Sequence, residues 1–372
     1  VSGDTVPQTI NRLNRAAVIE MPSDEIEFDF NDFTQASNQM GIYRSYCLGF
    51  IGQGPTKTRF RINPNSSTQV AQVPTQASGA SNPLTLMRVG QELIGPQQIC
   101  ANFSLIGTDQ PVSVNNEGFP HNYSGLLNYK GTGAIYQNLF IQGCPGNWNA
   151  PPGETFQLND YRGTGNIYRD IEVSGWNEAM TRRVGGSPLG TNGSTNTYIE
   201  DCWFHDSFVS SLTFAMAGSA TTGTATMNPT VRRVTVERNA MHGSGLPGTG
   251  FSVVNLEGVG GNITYAYCNF RLSAAPGDPD PDWASAHVSY SSARETSTLT
   301  LDHISWSGGY PPYRGALCVK VPNQYAGVTN LASKTPTVID YAGRTLQPYP
   351  IYGYSSAYIN IDITKQYVLN LA

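Results

Sequence analysis

The sequence predicts an all-β protein wound as a right-handed parallel β-helix with a cap at each end, and three observations carry this. A six-residue segment recurs seven times at a nearly constant period, every copy alternates apolar and polar residues, and no copy is followed by helical periodicity. The copies are Asn102–Gly107, Asn138–Gly143, Asp170–Gly175, Asp201–Asp206, Arg233–Arg238, Tyr267–Leu272 and His303–Gly308. Their second residues, Phe103, Leu139, Ile171, Cys202, Val234, Cys268 and Ile304, lie 36, 32, 31, 32, 34 and 36 residues apart. Units that cannot bury an apolar face alone do so by stacking, with each strand paired to its equivalent about 4.8 Å away.

Taken in order, residues 1–95 read as an N-terminal cap and first coils. They hold a short helix over Val6–Arg15 and strands at Ala17–Glu20, Glu25–Phe30, Gly49–Gly52 and Thr58–Ile62. Residues 96–320 form the body. There a second strand precedes several copies, at Gly125–Tyr129, Thr155–Leu158, Ser211–Phe214, Ser252–Leu256 and His287–Tyr290, so one coil is strand, turn, strand, loop. The second residues of the copies and those two further on (Leu105, Ile141, Val173, Phe204, Val236, Phe270, Trp306) are predicted to face inward. Each such burial is worth roughly 1.5–3 kcal/mol. Residues 321–372 are rich in Tyr and Pro and end in Tyr358–Ile363, whose isoleucines share a face. They read as a C-terminal β cap or a subunit contact.

Composition narrows the function. Charged residues make up 13% of the chain against about 25% in ordinary soluble domains, and 39 Gly with 24 Pro supply the turns. A net charge of -5 and the lack of any Lys/Arg run argue against a nucleic-acid partner. No stretch of about 18 apolar residues is present to span a bilayer. The six cysteines are dispersed singly, which points to buried, reduced thiols rather than zinc ligands or a disulfide framework. Neither a cofactor nor a metal is called for, and Val1–Asp4 reads as the start of a processed or longer product.

The chemistry is expected on the outward columns between the inward ones. One column carries Ser104, Phe140, Glu172, Trp203, Thr235, Asn269 and Ser305, and the next Ile106, Gln142, Ser174, His205, Glu237, Arg271 and Ser307. Phe140, Trp203 and Arg271 are candidates to hold a glycan, the rings by stacking and the guanidinium by hydrogen bonding. Glu172, His205 and Glu237 are candidates for catalysis, since glycoside hydrolysis uses a carboxyl pair and a histidine near neutral pH can move protons. Against this stands a plain alternative, a loop packed over the same face. Arg182, Arg183 and Asp201 read first as loop anchors, Asp278–Asp282 as a solvated loop, and Gly52–Thr58 as a turn rather than a phosphate loop.

Two stretches carry resemblances. Val18–Pro22, Gly49–Gly54 and Thr58 resemble the first coils of pectate-lyase-like β-helix proteins. Pro151–Phe156, Asn159–Arg162, Val184–Pro188 and Asp201–Asp206 resemble β-helical minor tail proteins, tail-spike-like, of phages infecting actinobacteria. That resemblance implies a virion tail component, assembled in the host cytoplasm as a homotrimer with other tail proteins, that recognises a host cell-wall or surface polysaccharide. The alternative on the same fold is a polysaccharide lyase or glycoside hydrolase, viral or secreted.

Overall fold

The computed structural model describes residues 9, 17–28, 42–43, 47–62, 84–89, 98–107, 123–144, 156–177, 182–183, 187–206, 212–215, 227–237, 254–257, 261–272, 288–291, 297–308, 317–320, 329–333, 338–340, 351–353, 359–361 and 368–370. All named elements among them are strands, and the chain divides into two units, Val1–Gly190 and Thr191–Ala372. Each is a parallel β-solenoid. The helix expected over Val6–Arg15 and the acidic loop Asp278–Asp282 lie outside the described residues, residue 9 excepted.

In the first unit one file of strands runs Ala17–Glu20, Cys47–Ile51, Ile99–Ile106, Ile135–Gln142 and Ile167–Ser174, each parallel to the one before. Glu25–Phe28 and Arg59–Ile62 stack below the second half of Ile99–Ile106. A second file holds Ile42–Tyr43, Leu84–Val89, Tyr123–Tyr129 and Phe156–Tyr161. The register places Phe103, Leu139 and Ile171 in one column and Leu105, Ile141 and Val173 in the next, and all six are buried as the alternation predicts. At the lower end Phe103 meets Phe60 and Phe50 edge to face, with centroids 5.3 and 6.5 Å away, a geometry that sets ring edges against ring faces.

The long strands are not straight. Asn102, Asn138 and Asp170 have φ of 63°, 51° and 53°, so the first residue of each repeat copy is a left-handed bend that turns the strand onto a second face. After glycine, Asn and Asp tolerate this conformation best, and Asn138 Nδ2 donates to Asn102 Oδ1 at 2.8 Å across the rungs. The segment Gly52–Thr58 is a turn, as expected, and Thr58 ties two rungs together. Its hydroxyl donates to the Pro22 carbonyl at 2.6 Å and accepts from the Gln53 amide at 2.9 Å.

The interior of this unit is not wholly apolar. The buried Asp160 carboxylate accepts hydrogen bonds from Asn128 Nδ2 at 2.8 Å and from Asn166 Nδ2 at 3.0 and 3.2 Å. Burial, and then the Asp160 charge, push the Tyr168 phenol well above its ordinary range, while its ring stacks on Tyr136 at 4.7 Å. Gly131 and Gly163 leave room for this cluster. A Cβ at Gly131 would lie 2.2 Å from Asn128 Oδ1, and one at Gly163 2.1 Å from Asn166 Nδ2. A buried carboxylate is tolerated only where donors replace water, and here amides do so.

The second unit repeats the plan. Tyr198–Glu200, Thr230–Arg232, Gly261–Ala266, Ser297–Asp302, Thr329–Ser333 and Ile359–Ile361 stack in one file. Trp203–His205, Thr235–Glu237, Asn269–Leu272, Ser305–Gly308, Val338–Asp340 and Val368–Asn370 stack in the next. Leu212–Ala215, Val254–Glu257, Val288–Ser291, Leu317–Lys320 and Ile351–Gly353 form the third. Cys202, Val234, Cys268 and Ile304 are buried, as are Phe204, Val236 and Phe270; the side chain of Trp306 lies outside the described residues. Strands of residues 321–372 continue these files as further rungs. The thiols of Cys100, Cys144, Cys202 and Cys268 are reduced and buried, and burial pushes Cys144 and Cys268 up to about 12, which makes them poor nucleophiles.

Candidate functional site

The outward residues Trp203, His205 and Glu237 meet in the second unit. Strand alternation turns Phe204 into the core, so its two neighbours project together on the opposite face. There the indole and imidazole stack, with centroids 4.0 Å apart and planes at 26°. His205 pairs in register with Glu237 one rung on, and the indole Nε1–H donates to Glu237 Oε2 at 3.2 Å. Trp203 keeps 39% of its surface exposed, whereas His205 keeps 8%. The site is therefore a ring platform at the surface, fixed from one side by an imidazole and from the next rung by a carboxylate.

A fourth residue joins them that the outward-column reading passes over. Asp206 Oδ2 lies 2.7 Å from His205 Nδ1, with both side chains largely covered. In neutral His205 this contact places the proton on Nδ1 and makes Nε2 the basic nitrogen. The signal was in the repeat: Asp206 (φ 57°) stands in the left-handed conformation at the position where an earlier copy has Gly143 (φ 65°). An aspartate there bears a backbone cost that a glycine avoids.

Arg271 follows Glu237 in the same column by register, and its side chain lies outside the described residues. Phe140 and Glu172 belong to the first unit, where they are register partners on adjacent rungs, both half-buried. Ser104, at the outward position before Phe140, is fully buried, so part of that face is covered. Arg182–Arg183 pairs antiparallel with Trp176–Asn177. Among the described residues, no group of three or more His, Cys, Asp or Glu side chains is arranged to hold a metal ion.

Asp201 is an anchor. Itself a left-handed bend (φ 55°), it receives Arg233 Nε at 2.5 Å and Nη2 at 2.6 Å, and Nη2 also lies 3.3 Å from Glu200. These hydrogen bonds, then the Arg233 and Arg232 charges, hold its carboxyl below the ordinary 3.8. A carboxyl with a depressed folded pKa adds stability that is complete above its unfolded value and disappears as pH falls through the folded one. The urea midpoint should fall more steeply below about pH 4 in the parent than in Arg233→Gln. Equal slopes would show that this solvent-screened pair is energetically silent.

No family model matches the chain, and no curated protein matches it. Among solved structures, its fold is similar to that of the endo-xylogalacturonan hydrolase from Aspergillus tubingensis, at 10% identity and a TM-score of 0.49 over 98% of this chain and 86% of that one. It is also similar to the catalytic domain of a GH87 alpha-1,3-glucanase in complex with nigerose, at 8% identity and 0.48, over 97% of this chain and 66% of that one. A third is ORF18 of Geobacillus virus E2, at 11% identity and 0.46, over 92% and 59%. The chain thus spans at most about two thirds of the last two.

Proposed function

We propose that this protein is a phage tail component, of the minor tail or tail-spike-like kind, that recognises a cell-surface polysaccharide of its host through the outward face of the 191–372 unit. The observation that carries the recognition step is Trp203, a half-exposed indole locked by His205 and Glu237 on two adjacent rungs. A rigid aromatic ring ringed by few polar groups suits sugar recognition because it offers an apolar face to C–H groups and fixed partners to hydroxyls. The virion role rests on the resemblance carried by Pro151–Phe156, Asn159–Arg162, Val184–Pro188 and Asp201–Asp206. A homotrimer, contact with other tail proteins and assembly in the host cytoplasm belong to the same proposal.

The His205–Asp206 pair beside Glu237 favours a second reading, cleavage of the bound chain by a lyase or hydrolase. Nε2 of an Asp-held histidine is a proton acceptor or donor, and Glu237 supplies a carboxyl on the next rung. Purified protein is incubated with a panel of bacterial envelope polysaccharides, scoring both retention and release of reducing or unsaturated ends. Saturable retention without products supports the first reading. Products that decline about a hundredfold or more in Glu237→Gln and His205→Ala support the second. Neither retention nor products from any polysaccharide excludes both.

A further inference from the structure

The left-handed bend recurs in four successive rungs of the second unit, but its occupants change character. Where the first unit uses Asn102, Asn138 and Asp170, the second follows Asp201 with Arg233 (φ 52°), Tyr267 (φ 56°) and His303 (φ 51°). For an ordinary side chain this conformation costs about 1–2 kcal/mol, and Asn or Asp reduce that. Arg233 has a compensation in its bidentate contact with Asp201. Tyr267 does not gain one from burial, since it is 46% exposed.

What Tyr267 does instead is line up with its neighbours along the stack. Its ring lies 4.4 Å from that of His303 at an interplanar angle of 11°, and the Arg232 guanidinium sits over it at 5.9 Å. His303 Nδ1 lies 2.7 Å from Asp302 Oδ1. Arg232 itself is exposed and, among the described residues, forms no ion pair, whereas the adjacent Arg233 has two carboxylates. Guanidinium, phenol and imidazole therefore occupy three consecutive rungs, a strip roughly 10 Å long at about 4.8 Å per rung. Trp203 lies two residues past the bend that opens this column.

Tyr267 and His303, exposed side chains held in a costly backbone conformation, point to a function that keeps them there, and Arg232 joins them through its contact with the Tyr267 ring. We propose that Arg232, Tyr267 and His303 form a second contact strip for the polysaccharide, and that the sugar chain carries an acidic substituent which the Arg232 fork takes. The strip rests on the glycan reading above and adds the class of ligand. The faces of Tyr267 are turned toward Arg232 and His303, so its edge and hydroxyl meet the ligand. A planar guanidinium with parallel N–H groups fits a carboxylate or phosphate better than a hydroxyl, which is the ground for an acidic chain.

The experiment uses the full chain against neutral and acidic polysaccharides at low and high salt, with thermal melts alongside. Asparagine is the informative replacement, because it favours the bend while removing the ring. Tyr267→Asn and His303→Asn are expected to keep or raise Tm while weakening acidic-glycan binding about tenfold, and Arg232→Gln to weaken it about tenfold and flatten its salt dependence. The strip is overturned if the asparagine variants bind like the parent, if they lose Tm, or if the bound glycans are neutral. Binding that requires Trp203 and ignores these three residues removes the strip and leaves the glycan reading intact. No binding by the parent to any polysaccharide removes both.

Discussion

Replacing Phe103 by alanine is expected to lower the unfolding free energy by about 3–5 kcal/mol, the usual cost of deleting a large ring from a core that cannot collapse around the hole. Phe103 has no exposed surface and is the meeting point of the Phe50 and Phe60 rings. It also stands directly below Leu139 and Ile171, so a cavity there interrupts a column rather than one contact. Urea unfolding followed by far-UV circular dichroism measures the loss. A change below about 1 kcal/mol would mean that the column is not packed as described.

Trp203→Ala should weaken polysaccharide binding roughly a hundredfold while leaving the fold intact. Tryptophan anchors in interfaces commonly contribute 2 kcal/mol or more on truncation, and each 1.4 kcal/mol is tenfold in affinity. The indole is partly exposed, so its removal forfeits one stack on His205 and one hydrogen bond to Glu237, with no core cavity. Surface changes of this kind cost little stability. Binding isotherms and thermal melts on the same preparation separate the two effects. Unchanged affinity would mean that the ring contacts nothing, and a collapsed melt would mean that it is part of the scaffold.

The architecture was legible because a solenoid writes its period into the chain. Phe103, Leu139 and Ile171, and separately Cys202, Val234, Cys268 and Ile304, are buried where a period of two within a period of thirty-odd puts them. The second strands at Gly125–Tyr129 and Thr155–Leu158 are found as Tyr123–Tyr129 and Phe156–Tyr161. What alternation could not disclose is that the leading residue of each copy is a bend. Asn102, Asn138, Asp170 and Asp201 hinted at it by type, but Arg233, Tyr267 and His303 have no such preference, and only dihedral angles identify them.

The site was half legible for the same reason. Trp203 and Glu237 come from different repeats, and the register read from the period set them one rung apart. Asp206 was hidden because it follows His205 directly, so two residues adjacent in sequence should point apart in a strand. The positive φ of Asp206 breaks that rule and swings its carboxylate back to the imidazole. The interior polar cluster around Asp160 was likewise invisible. Its partners Asn128 and Asn166 come from a neighbouring rung and from beyond the turn, and polar residues in Gly-rich stretches read as solvent-facing.

The regular pairing within each unit bears on how such a chain folds. Successive partners in the inward columns are 32, 34 or 36 residues apart, and closing a loop of 36 rather than 32 residues costs only about 0.1 kcal/mol more. Entropy thus favours no coil as the starting point, and side-chain chemistry selects the nucleus. Once one pair of turns is wound, each newly arriving stretch of chain finds a ready template at its edge, so growth can proceed like a zipper while the polypeptide is still leaving the ribosome.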